Sequence, residues 1–333
     1  MKKKILLNGL LIVLSIIALF FIYHLYSLKK LDSKVSSFNR NIKKEYRFVG
    51  VTDDRMYYLE NNTLHCFDEK QQVFSRDIGV GIADIIYDRY IYVVEKSGSV
   101  SMLNRKNGNE LKRINLERNI VKAVYEFGNI DLYFEDGVIS LNQKLEKKSE
   151  IRDLRNPVSK SENGRFISVI EINMENGEII STFSIYENDK KIYTISSPNE
   201  AFLYTSMLDE GNSLLISNRY IYMMDKGVIK SKNIVENIKS VDYAHGKYAI
   251  VDGDKLKIFN KSFQFENEKK IDFDVSRVSI RKNSIVLIGK KEAAVFENDT
   301  IIKEKLNNLL GQYISNQGVY LIFENKINKL SAY

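Results

Sequence analysis

The most constraining feature of this 333-residue chain is a rhythm. From residue 48 onward, short β-rich runs alternate with Gly, Asn or Asp turns, and the sequence of four runs restarts about every 37 residues. The units fall at 48–79, 80–117, 118–152, 153–197, 198–235, 236–273, 274–305 and 306–333. The second unit reads "GIADIIYD", "RYIYVVEKSG", "SVSMLNRKN", "NELKRINL". In each unit the first two runs are the most apolar and the fourth is the most charged. A radial sheet needs that gradient, with inner strands buried between neighbours and the outermost strand wet.

The expected fold is therefore all-β, a β-propeller of four-stranded antiparallel blades, with eight blades favoured and seven as the alternative. Composition agrees, since the chain has 20 Tyr and 17 Phe but only 2 Pro. The eighth unit supplies only three runs. The stretch "NIKKEYRF", 41–48, resembles the fourth runs elsewhere, and it is expected to pair with "KINKLSAY", 326–333, closing the ring. Closure removes the two edges that an open array would expose.

Ahead of the repeats, "ILLNGLLIVLSIIALFFIYHLYSL", 5–28, holds no charge beyond that of His24 and is flanked by lysines. At 1.5 Å per residue it is long enough to span a ~30 Å hydrocarbon core. It has no good small-x-small cleavage site. The expectation is a transmembrane α-helix acting as an uncleaved signal anchor. Residues 1–4 form a cytoplasmic tail, 29–43 a linker and 44–333 the propeller. That makes a single-pass cell-membrane protein with its N-terminus inside and the propeller extracytoplasmic. The net charge of +7 fits this layout: residues 1–47 carry ten Lys or Arg against two acids, leaving 40 of the 50 basic and 41 of the 43 acidic residues for the rest. The repeats are thus near neutral, so the lipid bilayer, met through residues 5–28, is the expected partner and nucleic acid is not.

"GSVSMLNRKNGNEL", 98–111, resembles the repeat of pyrroloquinoline-quinone-type β-propellers, with Asn104 matching its Asp/Asn and Gly108 its turn Gly. Asn107 stands where Thr is usual, and Lys112 where a docking Trp is usual. "FEDGVISLNQKL", 134–145, is a weaker echo. One anchor followed by a diverged, WD40-like propeller also resembles the uncharacterised DUF5711-type proteins of Gram-positive bacteria. That resemblance implies no activity.

No catalytic, cofactor-binding or metal-binding residue is assigned, and no cofactor is expected. A quinone enzyme of this fold stacks its cofactor, commonly on Trp, and often uses a vicinal Cys pair. This chain has no Trp and one cysteine, Cys66. His65 and Cys66 are neighbours on one strand, so they point to opposite faces and do not share a metal. His24 belongs to the anchor and His245 stands alone. The carboxylates of "VDGDKL", 251–256, and "FEDG", 134–137, read as turn chemistry. The mixed-charge runs 144–150 and 266–270 read as wet outer strands.

The function expected is protein interaction in the bacterial cell envelope, with an envelope protein as partner and no enzyme activity. The alternative is an enzyme or ligand-binding protein whose acids converge in the central funnel. The partner site is expected on the face carrying the second-to-third strand turns, near Asn61-Asn62, Ser97-Gly98, Asp136-Gly137 and Asp252-Gly253. The opposite face is expected to look toward the membrane, held there by about 15 residues of linker at ~3.5 Å each.

Overall fold

The computed structural model describes residues 33–37 and 46–330, apart from residues 53, 69, 127, 189, 210, 282, 283, 298, 299, 316, 317 and 325. These residues form eight four-stranded antiparallel sheets. The first seven are continuous in sequence, at 47–77, 82–115, 122–152, 157–197, 202–234, 238–270 and 275–305. The eighth takes three strands from 311–330 and its outermost strand from Ser33–Ser37. The expected anchor at 5–28 lies outside the described residues, and no helix among the described residues is long and apolar enough to cross a membrane.

The ring is closed by Ser33–Ser37 on Lys326–Leu330, running from Ser33↔Leu330 to Ser37↔Lys326. This corrects the expected seam. Arg47 and Phe48 belong to Arg47–Val51, the innermost strand of the first blade, which pairs with Arg55–Glu60. The closing strand therefore comes from the stretch read as linker. The physical reason is that an outermost strand is defined by backbone hydrogen bonds on one edge, so it needs no apolar signature.

Each blade packs on both neighbours. Among the described residues, eight clusters of buried apolar side chains lie one between each pair of adjacent blades. In the second strand of blade 1, Tyr57 and Leu59 face blade 2, while Met56 and Tyr58 face blade 8. In blade 2, Ile91 and Val93 face blade 1, while Tyr92 and Val94 face blade 3. The period-2 alternation of a strand thus serves two interfaces at once. Outer strands differ: Glu110–Asn115 alternates exposed and half-buried residues, as solvent on one side requires. The seam between blades 8 and 1 is apolar like the others, built on Tyr58, Tyr320, Ile322 and Ile327, with Tyr46 stacked on Tyr58 at 4.1 Å.

The turns before the outer strands share one device. Asp68, Asn142 and Asn260 end the third strands of blades 1, 3 and 6, and Asn104 directly follows that of blade 2, each just after a Phe or Leu. Each side chain accepts from turn amides: Asp68 from Lys70 and Gln71, Asn104 from Lys106, Asn142 from Lys144 and Glu146, Asn260 from Ser262 and Gln264. This is how Asp and Asn drive turns. The motif read at Asn104 is therefore general, and the echo at 134–145 is its copy in blade 3.

Strand direction defines two faces. Turns from inner to second and from third to outer strands lie on one, called here the entry face because Ser33 begins there, opposite Leu330. Second-to-third turns and the connections between blades lie on the other, the connection face. At Gly98, on the connection face, φ is +101° and an added Cβ would sit 2.4 Å from the Arg118 carbonyl oxygen, so neither strain nor crowding can be relieved.

Two outcomes test this architecture. Deleting residues 33–37 removes a ladder whose hydrogen bonds contribute ~0.5–1.5 kcal/mol each, so the melting temperature should fall by roughly 5–15 °C. The bared edge should also drive self-association. Calorimetry with light scattering reads both, and an unchanged, monomeric protein would place closure elsewhere. Gly98→Ala should cost about 2–4 kcal/mol in urea unfolding.

Candidate functional site

Two regions stand apart from the regular ring, the central channel and the connection face of blades 4 and 5.

Around the channel, inner strands present edges with no ladder partner, and side chains of neighbouring inner strands cover them. Ser161 Oγ accepts from the Met207 amide at 2.9 Å, and Ser240 Oγ from the Val278 amide at 3.0 Å. Asp242 Oδ2 accepts from the Ile280 amide at 2.7 Å, and Lys122 Nζ donates to the Val158 carbonyl at 3.2 Å. Beside them, Lys160 is 5% exposed, and its ammonium donates to Ser140 Oγ at 2.9 Å and Glu162 Oε2 at 2.7 Å, with Asp131 Oδ1 at 3.5 Å. These groups are committed to holding blades together.

Glu126, at the end of the inner strand of blade 3, is different. It is open to channel water, yet protein surrounds it on most sides. Desolvation raises its pKa to about 7, helped by the charges of Asp131 and Asp242 and opposed by Lys160 and Lys122. No donor among the described residues reaches its carboxylate. In blade 7, Arg281 donates through Nη1 to the Ile280 carbonyl, whereas Nε and Nη2 are buried without an acceptor among the described residues. The channel thus brings together carboxylates from blades 3 and 6, Glu126 and Asp242, that sequence spacing does not connect.

The connection face carries a projection. In blade 4 the second and third strands, Phe166–Glu175 and Glu178–Glu187, have ten residues each, against five to eight in every other strand. The inner strand pairs only as far as Glu171, and the outer only as far as Ser181. Beyond these points the two strands continue as a ribbon that overhangs the face by ~13 Å. Its tip, Asn176-Gly177, has φ of 52° and 82°, as a type I′ turn requires. Met174 and Ile179 lie directly opposite each other on it, 74% and 58% exposed. They share a side with Ile172, which packs against the core between blades 4 and 5. Leu203, Ile234, Val121 and Val80 are exposed on the same face. The ribbon was not read from sequence; the signals were the 45-residue fourth unit and its "ENGE" turn.

The singled-out turns have structural partners. Arg118 bonds Asp136 and Glu150 while stacking over Phe134 at 4.1 Å. Asp252 is 1% exposed and accepts from the Glu236 and Asn237 amides and from Lys257 Nζ. Burial pushes its carboxyl up, but these donors prevail and the net shift is downward. His65 stacks on Tyr58 at the seam, while Cys66 faces blade 2. Among the described residues, no three His, Cys, Asp or Glu are placed to hold a metal.

Solved structures share this architecture. BamB from Moraxella catarrhalis superposes with a TM-score of 0.52 at 9% identity, over 88% of this chain and 96% of that one. Sqt1 from Saccharomyces cerevisiae gives 0.55 at 10% identity, over 89% and 98%. At such identities the likeness shows the propeller fold. No protein-family model matches the chain, and no curated protein sequence does, so the resemblance to the DUF5711-type proteins rests on layout.

The channel carboxyl has a consequence for stability. Between pH ~4.5 and 7 the folded state holds a proton on Glu126 that the unfolded chain has released. Its contribution favours folding below that window and is lost as pH rises through about 7. Glu126→Gln should therefore lose less melting temperature than the parent between pH 5 and 8, and should be the more stable of the two at pH 8. Parallel pH profiles of the two proteins would refute the assignment.

Proposed function

We propose that this chain is a membrane-anchored, extracytoplasmic protein-interaction module of the bacterial cell envelope, and that it is not an enzyme. The observation that carries the reading is the overhanging ribbon of blade 4. Two large apolar side chains at its tip face solvent, and beyond Ile172, whose amide donates to the Asn156 carbonyl at 3.2 Å, the ribbon edges have no ladder partner among the described residues. A two-stranded ribbon is marginal on its own. Exposed apolar groups on such an edge suit a partner that adds a strand and covers them. The fold supports the reading further, because a rigid ring with variable loops is a good platform for binding.

The anchor is residues 5–28. With the first strand beginning at Ser33, the tether is residues 29–32, shorter than the linker expected from sequence. A tether this short holds the entry face toward the bilayer and leaves the connection face, with the ribbon and the turns at Asn61-Asn62 and Ser97-Gly98, directed outward. The second reading, a small-molecule site in the channel, is favoured by one observation: Glu126 is poised near neutrality with no donor among the described residues, as a general acid or base would be.

A crosslinking pull-down from intact cells tests the first reading. Full-length chain should capture an envelope protein, and Met174→Asp with Ile179→Asp should abolish capture while leaving the melting temperature within about 1 °C, since neither side chain is buried. Capture that survives this double substitution would remove the ribbon from the interface. Loss of binding to Glu126→Gln alone would favour the channel.

A further inference from the structure

The tip of the blade 4 ribbon has two sides of opposite chemistry. Side chains alternate across a strand, so Met174 and Ile179 share the side on which Ile172 packs toward blade 5. Glu175 and Glu178, directly opposite each other, occupy the other side. Like charges in such a pair repel. Glu175 is partly compensated by Arg155, whose Nη1 lies 3.5 Å from its Oε1. Glu178 is exposed and has no cationic partner among the described residues.

The two edges of the ribbon differ as well. In a two-residue hairpin the pair that closes the turn exchanges both hydrogen bonds, so the residues next to it direct their backbone groups outward. The Ile172 amide, bonded to the Asn156 carbonyl at 3.2 Å, follows that alternation. Along the inner edge, this bond, the Asn156 Nδ2 to Asn173 Oδ1 bond at 3.2 Å and the Arg155 guanidinium attend the strand as far as Glu175. Along the outer edge the ladder stops at Ser181↔Ser197, and the next residue, Pro198, has no amide to donate. The amide and carbonyl of Ile179 therefore face outward beside Glu178, with no ladder partner among the described residues.

We infer, resting on the reading of the ribbon as a docking element, that its partner presents an extended segment in which apolar residues alternate with Lys or Arg, and that this segment pairs with Ile179 on the outer edge. A strand added there lays alternate side chains on the two sides of the ribbon. Its apolar residues cover Met174 and Ile179, and its cations meet Glu178 and Glu175. A wholly apolar strand leaves the two carboxylates repelling each other and partly desolvated, and an acidic strand adds to the repulsion. A second copy of this chain is disfavoured for the same reason, since pairing two outer edges brings two acidic tips together. The free edge is short and supplies about two backbone hydrogen bonds. Affinity therefore depends on the side chains, and it falls as salt screens the charges.

The test uses the full chain in nonionic detergent and short labelled peptides of alternating Lys-Val, Ser-Val and Glu-Val, read by fluorescence anisotropy. The Lys-Val peptide should bind saturably, the Ser-Val peptide about 5–20-fold more weakly and the Glu-Val peptide not at all. Glu178→Gln should weaken Lys-Val binding about 2–5-fold, and Glu175→Gln with Glu178→Gln about 5–20-fold, at unchanged melting temperature. Asp254→Asn removes a charge from another turn of the same face and should change nothing. N-methylation of the Lys-Val backbone should abolish binding. Three results would overturn the inference and leave ribbon docking standing: equal binding of all three peptides that Met174→Asp with Ile179→Asp abolishes, insensitivity to N-methylation, or no peptide binding while crosslinked capture in cells still needs Met174 and Ile179. Self-association of the chain that the double Asp variant abolishes would assign the tip to a second copy and also overturn it. Lys-Val binding that survives both sets of ribbon variants would overturn it too, and cellular capture indifferent to Met174 and Ile179 would remove the underlying reading.

Discussion

A four-stranded sheet that is apolar on both faces cannot persist alone. Every other property of this molecule follows from that constraint. Tyr57 with Leu59 and Met56 with Tyr58 leave opposite faces of one strand, so blade 1 needs both a blade 2 and a blade 8. The same holds round the ring, and stability comes from eight radial interfaces in place of one central core. Burying each large aliphatic or aromatic side chain in them contributes ~1.5–3 kcal/mol. The axis is left with unpaired strand edges, and polar side chains such as Ser161, Ser240 and Asp242 resolve that deficit locally.

The polar character of the channel is thus a by-product of geometry before it is a function. Asp131 and Lys160 satisfy each other through Ser140, and Asp242 serves the next blade. Among the described residues, Glu126 is a channel carboxylate left over from that bookkeeping, as the Nε and Nη2 groups of Arg281 are on the cationic side. The connection face shows the complementary case: once strands 166–175 and 178–187 outrun their neighbours, apolar side chains that would be interior elsewhere in the ring become surface.

The repeat was legible because alternation and turn residues are local properties. The gradient from apolar inner to charged outer runs reported radial position directly, and the Asn104 turn disclosed a device used in blades 1, 3 and 6 as well. The closing strand was misplaced because the sequence Ser33–Ser37 carries no recognisable apolar pattern, whereas Arg47-Phe48 resembled an outer strand in charge. Glu126 was illegible for another reason. Its environment is set by Asp131 and Asp242, and the second of these lies in another blade and meets it only once the ring exists.

The way the ring closes also decides how it would bear force. Ser33–Ser37 lies antiparallel to Lys326–Leu330 with its first residue at the entry face. A pull through the preceding residues, resisted by something held at the connection face, runs along the strand. All five register pairs then share the load in shear, whereas entry from the other end would let them peel one after another. Were the domain stretched between a membrane and a partner, as proposed above, it would gain mechanical resistance from that choice of direction, at no cost in sequence.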